Sequence, residues 1–333
     1  MTDAGTRPQD QRGAQFLGSV QRAVSGAVVG GELPLRLLAT ALLAGGHALV
    51  EDVPGVGKTL LARAFARALG LTFSRVQGTP DLLPTDVTGS SILDQGQFRF
   101  VPGPVFANVL LVDEINRATP RTQSGLLEAM QERQVSVDGQ TRPLPDPFLV
   151  LATQNPIELE GTFALPEAQL DRFLLRIAMG YPDEDAEGRI ARRHQASAEP
   201  LDDVPTVIQP DEVLELRAAA RTIHVSDDVE RYAVALVRAT REHPDVRLGA
   251  SPRSTVALYR VGQAWALLAG RSFVLPDDVR TVAPAVLAHR LLLEVDRELR
   301  GATVAGVIEE VIDSVAVPLA DEVPITADRP STE

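Results

Sequence analysis

Five short apolar runs punctuate the first half of the chain: His47–Glu51, Thr72–Gln77, Val109–Asp113, Phe148–Thr153 and Phe173–Ala178. Each is rich in Val, Ile, Leu or Phe and has the length of a strand. Stretches with helical spacing, such as Thr59–Leu69 and Thr122–Gln131, lie between some of them. Strands alternating with helices predict an α/β fold, a doubly wound parallel sheet with helices on both faces. Two polar segments interrupt the alternation and read as hairpins. One spans about Ser90–Val101, and the other, Gln134–Arg142, turns at Asp138-Gly139, a dipeptide suited to a two-residue turn.

After Tyr181-Pro182 the pattern turns helical alone. Val229, Tyr232, Ala233, Leu236 and Val237 recur at helical spacing, and so do Val304, Val307, Ile308, Val311, Ile312 and Val315, with Glu309, Glu310 and Asp313 opposite. These stripes read as core faces of a small all-helical domain; a partner-binding helix is the other reading. Both ends are polar. The resulting division is a tail at 1–12, an α/β domain at 13–182 with hairpins near 90–101 and 134–142, a helical domain at 183–323, and a tail at 324–333. No internal repeat or low-complexity tract is evident.

The length of 333 residues agrees with two domains. With 32 basic and 45 acidic residues the net charge is −13, which argues against generic affinity for nucleic acid or an anionic membrane. The absence of cysteine excludes disulfides and thiolate metal sites. The first residues lack the apolar core of a signal peptide, and no apolar run approaches the ~20 residues that span a bilayer, so a soluble, cytoplasmic protein is expected. The five histidines, His47, His194, His224, His243 and His289, show no metal-ligand spacing.

Of the 32 basic residues only Lys58 is a lysine. It lies in DVPGVGKTLLARAFA, between an apolar strand and a helix. A compact ammonium on a flexible stem can reach past a tight loop to the β- and γ-phosphates of a nucleotide. Backbone N–H groups around Gly55–Thr59 can wrap a phosphate at the helix N-terminus. The nucleotide-binding candidates are Asp52, Val53, Pro54, Gly55, Val56, Gly57, Lys58, Thr59 and Leu60. The Thr59 hydroxyl and, at the end of VLLVDE, Asp113 are the candidate Mg²⁺ ligands. Glu114 is placed to polarise an attacking water. Asn155, after another apolar strand, can bond the γ-phosphate or that water, or else cap a turn before Pro156. Arg172 reads as a surface arginine by itself. Arg253 projects from the first turn of a helix opened by Pro252, within possible reach of the cleft.

These segments, in this order, resemble AAA+ ATPases. GPVFANVLLVDEINRATPRTQSGLLEAMQERQV at Gly103–Val135 looks like the central signature of the MoxR family, and GTPDLLPTDVTG, GTFALPEAQLDRF and GASPR are similar to its other motifs. The resemblance runs from about Val28 to Val317. It implies a Walker A lysine at Lys58, Walker B acids at Asp113 and Glu114, sensor 1 at Asn155, an arginine finger at Arg172 and sensor 2 at Arg253, with ATP and Mg²⁺ as cofactors. The Ser90–Val101 hairpin matches the helix-2 insertion shared with magnesium chelatase subunits. The resemblance further implies a homo-oligomeric ring, hexameric, that matures or assembles client proteins, foremost those with a von Willebrand factor A-like domain. Two positions depart from the pattern: Asp52 stands for the first loop glycine, and Gly78 for a bulky residue, implying a weakened pore-loop contact. A nucleotide-binding scaffold without turnover, a small-molecule kinase and a DNA motor are the alternatives. The retained Glu114, Asn155, Arg172 and Arg253 disfavour the first, and the charge of −13 the last.

Overall fold

The computed structural model describes residues 9–53, 55–155, 161–193 and 201–318. Helices α1 (Gln9–Ser25) and α2 (Glu32–Leu43) precede strand β1 (Ala48–Glu51), followed by α3 (Lys58–Ala68), β2 (Phe73–Gln77) and the short α4 (Pro84–Thr88). An antiparallel hairpin of β3 (Gly89–Asp94) and β4 (Gln97–Pro102) comes next, then β5 (Val109–Asp113) and α5 (Pro120–Glu132). A second hairpin, β6 (Gln134–Val137) and β7 (Gln140–Pro143), leads to β8 (Leu149–Gln154), α6 (Glu167–Leu170) and β9 (Leu175–Ile177). Beyond lie α7 (Glu184–Arg193), α8 (Pro210–Ala220), α9 (Asp227–Glu242), β10 (Val246–Leu248), α10 (Pro252–Leu268), α11 (Pro276–Leu287), β11 (Leu292–Leu293), α12 (Val295–Glu298) and α13 (Val304–Ser314).

Five strands form one parallel sheet in the order β2-β5-β8-β1-β9. Its centre explains the run Val109–Val112. Val109 and Leu111 join an apolar cluster on one face, Leu110 and Val112 a cluster on the other, so no polar alternation survives in this strand. The first cluster continues from α1 and α2 into the helices after β9, taking in Tyr232, Leu236 and Val237 of α9 and Val307, Ile308, Val311 and Ile312 of α13. Both helical stripes therefore serve the core. The second hairpin turns through Asp138 (φ 53°) and Gly139 (φ 75°), the left-handed pair that its sequence demands.

Two expectations need correction. Helix α1 begins at Gln9, so residues 9–12, assigned to the tail, are helical. The second half is not helical throughout: β10 pairs antiparallel with β11, placing buried Leu293 opposite Val246. The tail at 324–333 lies outside the described residues. Among the described residues no helix is long and apolar enough to cross a membrane.

Candidate functional site

Because the sheet is parallel, the loops after β1, β5 and β8 leave from the same edge, where open α/β sheets bind ligands. The loop after β1 turns through Gly55 and Gly57 in left-handed conformations (φ 86° and 87°), with open space where a Cβ would stand on either. Gly57 is the N-cap of α3, so the loop delivers free backbone donors at the positive end of a helix. Lys58 Nζ donates to the carbonyls of Asp52 (2.8 Å) and Val53 (3.2 Å), curled over its own loop. Val56, Thr59 and Leu60 are half-buried around it, and Pro54 lies outside the described residues.

Asp52 has a role that the strict glycine pattern conceals. Its Oδ1 accepts from Val53 N (2.8 Å), and its Oδ2 from Met179 N (2.5 Å) and Gly180 N (2.7 Å). The carboxylate thus pins the phosphate loop to the segment leaving β9. Next to it, burial pushes the Glu51 carboxyl up, opposed by the Arg176 guanidinium at 2.7 Å.

Asp113 and Glu114 end β5. Thr153, on neighbouring β8, donates from Oγ1 to Asp113 Oδ1 (3.3 Å) and accepts from Glu114 N (2.9 Å). Thr153 and Lys58 also line one small cavity, walled otherwise by apolar side chains such as Val50, Leu111 and Ile177. Glu114 sits at φ 55°, ψ 52°, a left-handed conformation that costs a non-glycine residue about 1–3 kcal/mol and is typical of functional turns. Gly78 N donates to Asp113 O at 2.6 Å, and a Cβ on Gly78 would run into the Glu114 carbonyl. The glycine is therefore required by packing beneath the acidic turn, since a bulky residue would displace Glu114.

Three polar residues around these acids escaped the sequence reading. Arg75 Nε donates to Asp113 Oδ2 at 2.5 Å, Gln77 Nε2 to Glu114 Oε2 at 2.8 Å, and Arg117 Nη1 to the same oxygen at 3.2 Å. Arg75 also donates to Gln77 Oε1 (3.1 Å), completing a chain along β2. The available signal was two polar residues, Arg75 and Gln77, on one face of a short strand.

Asn155 follows Gln154, which pairs with Glu51 of β1, so it stands beside the phosphate loop. The side-chain contacts of Asp113 and Glu114 include neither Arg172 nor Arg253 among the described residues. Asp171 Oδ1 accepts from Arg290 Nε (2.8 Å), while its Oδ2 faces Ser251 Oγ (3.4 Å) and Arg253 Nη1 (3.7 Å). Arg172 is not among the partners of Asp171. Val24, Val28, Val29, Gly31 and Leu35 line a mostly apolar cleft with Arg189 of α7, and Gly31 approaches Leu61 of α3. The chain VVGGE between two helices was its only sequence signal.

Among the described residues no three His, Asp or Glu side chains are grouped to cage a metal. The oxygen donors Thr59 and Asp113 suit Mg²⁺, which one or two protein ligands hold together with phosphates and water.

Residues 47–175 match the ATPase family associated with various cellular activities (AAA), and residues 238–311 match the AAA lid domain. The protein YeaC of Bacillus subtilis is 45% identical over 306 residues, covering 91% of this chain and 95% of that one. Chaperone MoxR1 of Mycobacterium tuberculosis is 44% identical, over 89% of this chain and 81% of its own. The crystal structure of a candidate ATPase from Cytophaga hutchinsonii superposes with a TM-score of 0.87 at 38% identity, over 93% of this chain and 97% of that one.

Proposed function

The chain belongs to the MoxR family of AAA+ ATPases, and from that premise we propose that it hydrolyses ATP, with Mg²⁺, to drive the maturation or assembly of other proteins. What supports this most is the convergence on Thr153: its hydroxyl holds Asp113 and the backbone of Glu114, and Thr153 lines one cavity with Lys58. Lys58 leaves its loop carbonyls to meet the β/γ-phosphates. The adenine enters the cleft between Val28 and Arg189, and Asp52 keeps the loop tied to the segment after β9. Mg²⁺ held by Thr59 and Asp113 supplies charge neutralisation of the phosphates when bound. Glu114, once released by Gln77 and Arg117, orients and polarises the attacking water, assisted by Asn155.

Arg172 is the finger that completes a neighbouring subunit's cleft, within a hexameric ring in the cytoplasm. Arg253 moves from Asp171 to the nucleotide as the helical domain, from residue 183 onward, closes. Clients carry a von Willebrand factor A-like domain. A scaffold that holds nucleotide without turnover would have no use for the strained Glu114 turn.

Two variants test the core of this function. Lys58→Ala should abolish calorimetric binding of a non-hydrolysable ATP analogue. Glu114→Gln should keep that binding while phosphate release falls at least about a hundredfold. Wild-type phosphate release from Glu114→Gln would remove the assignment. The same variant, loaded with ATP, is the trap for identifying clients by co-purification.

A further inference from the structure

At the other end of β1 from Lys58, three arginines converge over Gly45. Arg133 Nη2, Arg217 Nε and Arg260 Nη2 each lie 3.4 Å from the point where a Cβ on Gly45 would stand. Gly45 is left-handed (φ 69°), which disfavours any side chain, so no Cβ fills the methyl-sized gap beneath the guanidiniums. The arginines come from three elements: Arg133 caps α5, Arg217 lies on α8 and Arg260 on α10.

The cluster has too little negative charge. One carboxylate, Asp146, meets it, 2.5 Å from Arg217 Nη1 and 3.3 Å from Arg133 Nη1. The carbonyls ending α2 take one donor each, Ala44 O from Arg260 Nη2 (2.6 Å) and Gly45 O from Arg133 Nη2 (2.8 Å). Arg217 is the anomaly. Its side chain is only 7% exposed, yet its Nε and Nη2 are buried with no hydrogen-bond partner among the described residues. Buried guanidinium donors without acceptors are costly. Burial and the neighbouring Arg133, Arg221 and Arg260 all push the Arg217 pKa down, against Asp146.

We propose that this cradle binds a free tetrahedral oxyanion of phosphate size. Guanidinium forks approaching from three elements suit phosphate, which offers acceptors in several directions, better than a planar monocarboxylate. Bound there, the anion ties Arg133 and Gly45 of the sheet half to Arg217 and Arg260 of the helical half. The site is separate from the nucleotide loop.

Thermal unfolding with inorganic phosphate tests this, in a Lys58→Ala background that weakens phosphate binding at the nucleotide loop. Sodium chloride and acetate at matched ionic strength are the controls. Phosphate should raise the midpoint saturably, by on the order of 5 °C at a hundredfold excess over Kd. Sulfate should do the same. Adding Arg217→Gln should remove most of that rise, and Arg260→Gln part of it. No phosphate response in the parent overturns the proposal, as does a response equalled by chloride or acetate. A full response retained in Arg260→Gln also overturns it, and decides the matter should Arg217→Gln fail to fold.

Discussion

Arg290 donates from Nε to Asp171 at 2.8 Å, and its two Nη groups reach the carbonyls of Phe173 (2.7 Å), Leu174 (3.2 Å) and Val286. One buried guanidinium thereby fastens the segment carrying Arg172 to helix α11. Asp171 also faces Ser251 and Arg253 at the start of α10. The residue before the candidate finger and the helix bearing the second candidate arginine are thus held by the same carboxylate.

Breaking this clasp should be expensive. Arg290→Gln leaves Asp171 largely buried without its main counter-charge and strips the carbonyl acceptors of their donors. A loss of about 3–5 kcal/mol is expected, as when one partner of a buried pair is removed. Urea unfolding measures it. A loss under about 1 kcal/mol would mean that the clasp contributes little to stability.

Histidine burial sets an acid limit on stability. His47 Nδ1 accepts from Val150 N (3.0 Å) and its Nε2 is 3.0 Å from Met130 O, a pair of roles that only the neutral ring with its proton on Nε2 fulfils. Burial depresses its pKa to about 4. The unfolded chain takes up this proton near pH 6.5, the native chain only near 4. His47 stabilisation is therefore complete above about pH 6.5 and fades as pH falls toward 4, by about 3 kcal/mol in all. His289, also buried, with Nε2 2.9 Å from Phe173 O, is lowered in the same direction by burial and by Arg290. Unfolding at pH 7.5 and 4.5 should show the decline, and His47→Gln should shallow it. An unaltered slope would acquit His47.

Gln77 should restrain turnover. Its amide donates to the oxygen of Glu114 that also receives Arg117, holding the carboxylate in this resting arrangement. A hydrogen bond worth about 1 kcal/mol that must break before reaction slows the rate about fivefold. Gln77→Ala should raise basal phosphate release by about that factor with nucleotide affinity unchanged. A decrease would place Gln77 in the reacting state instead.

The strands were legible because each buries its residues within a short window, as Val109–Val112 does on both faces of the sheet. The phosphate loop and the acidic pair were legible because each is contiguous. Thr153, Arg75, Gln77 and Arg290 were not, for one physical reason. Their partners lie 37 to 119 positions away and become neighbours only once the strand order β2-β5-β8-β1-β9 and the docking of α11 are known. Asp52 read as a departure from a pattern because the backbone donors to its carboxylate, Met179 and Gly180, lie 127 and 128 positions on.

Arg172 should act on the ATP of the next subunit. The plain alternative was a salt bridge to Asp171, worth under about 1 kcal/mol at a surface. That carboxylate is instead occupied by Arg290 and faces Arg253, so its neighbour Arg172 is left for other work. A guanidinium offered in trans to a transferring γ-phosphoryl contributes roughly 10³–10⁵ in rate. Arg172→Ala should then bind ATP normally and be nearly inactive alone, while Lys58→Ala is inactive for want of nucleotide. In mixed assemblies the Lys58→Ala subunits can lend Arg172 to the loaded clefts of the Arg172→Ala subunits, and part of the activity should return. Sedimentation must first show that both variants assemble and exchange. Mixed assemblies confirmed in that way, yet as inactive as either parent, would confine Arg172 to its own subunit.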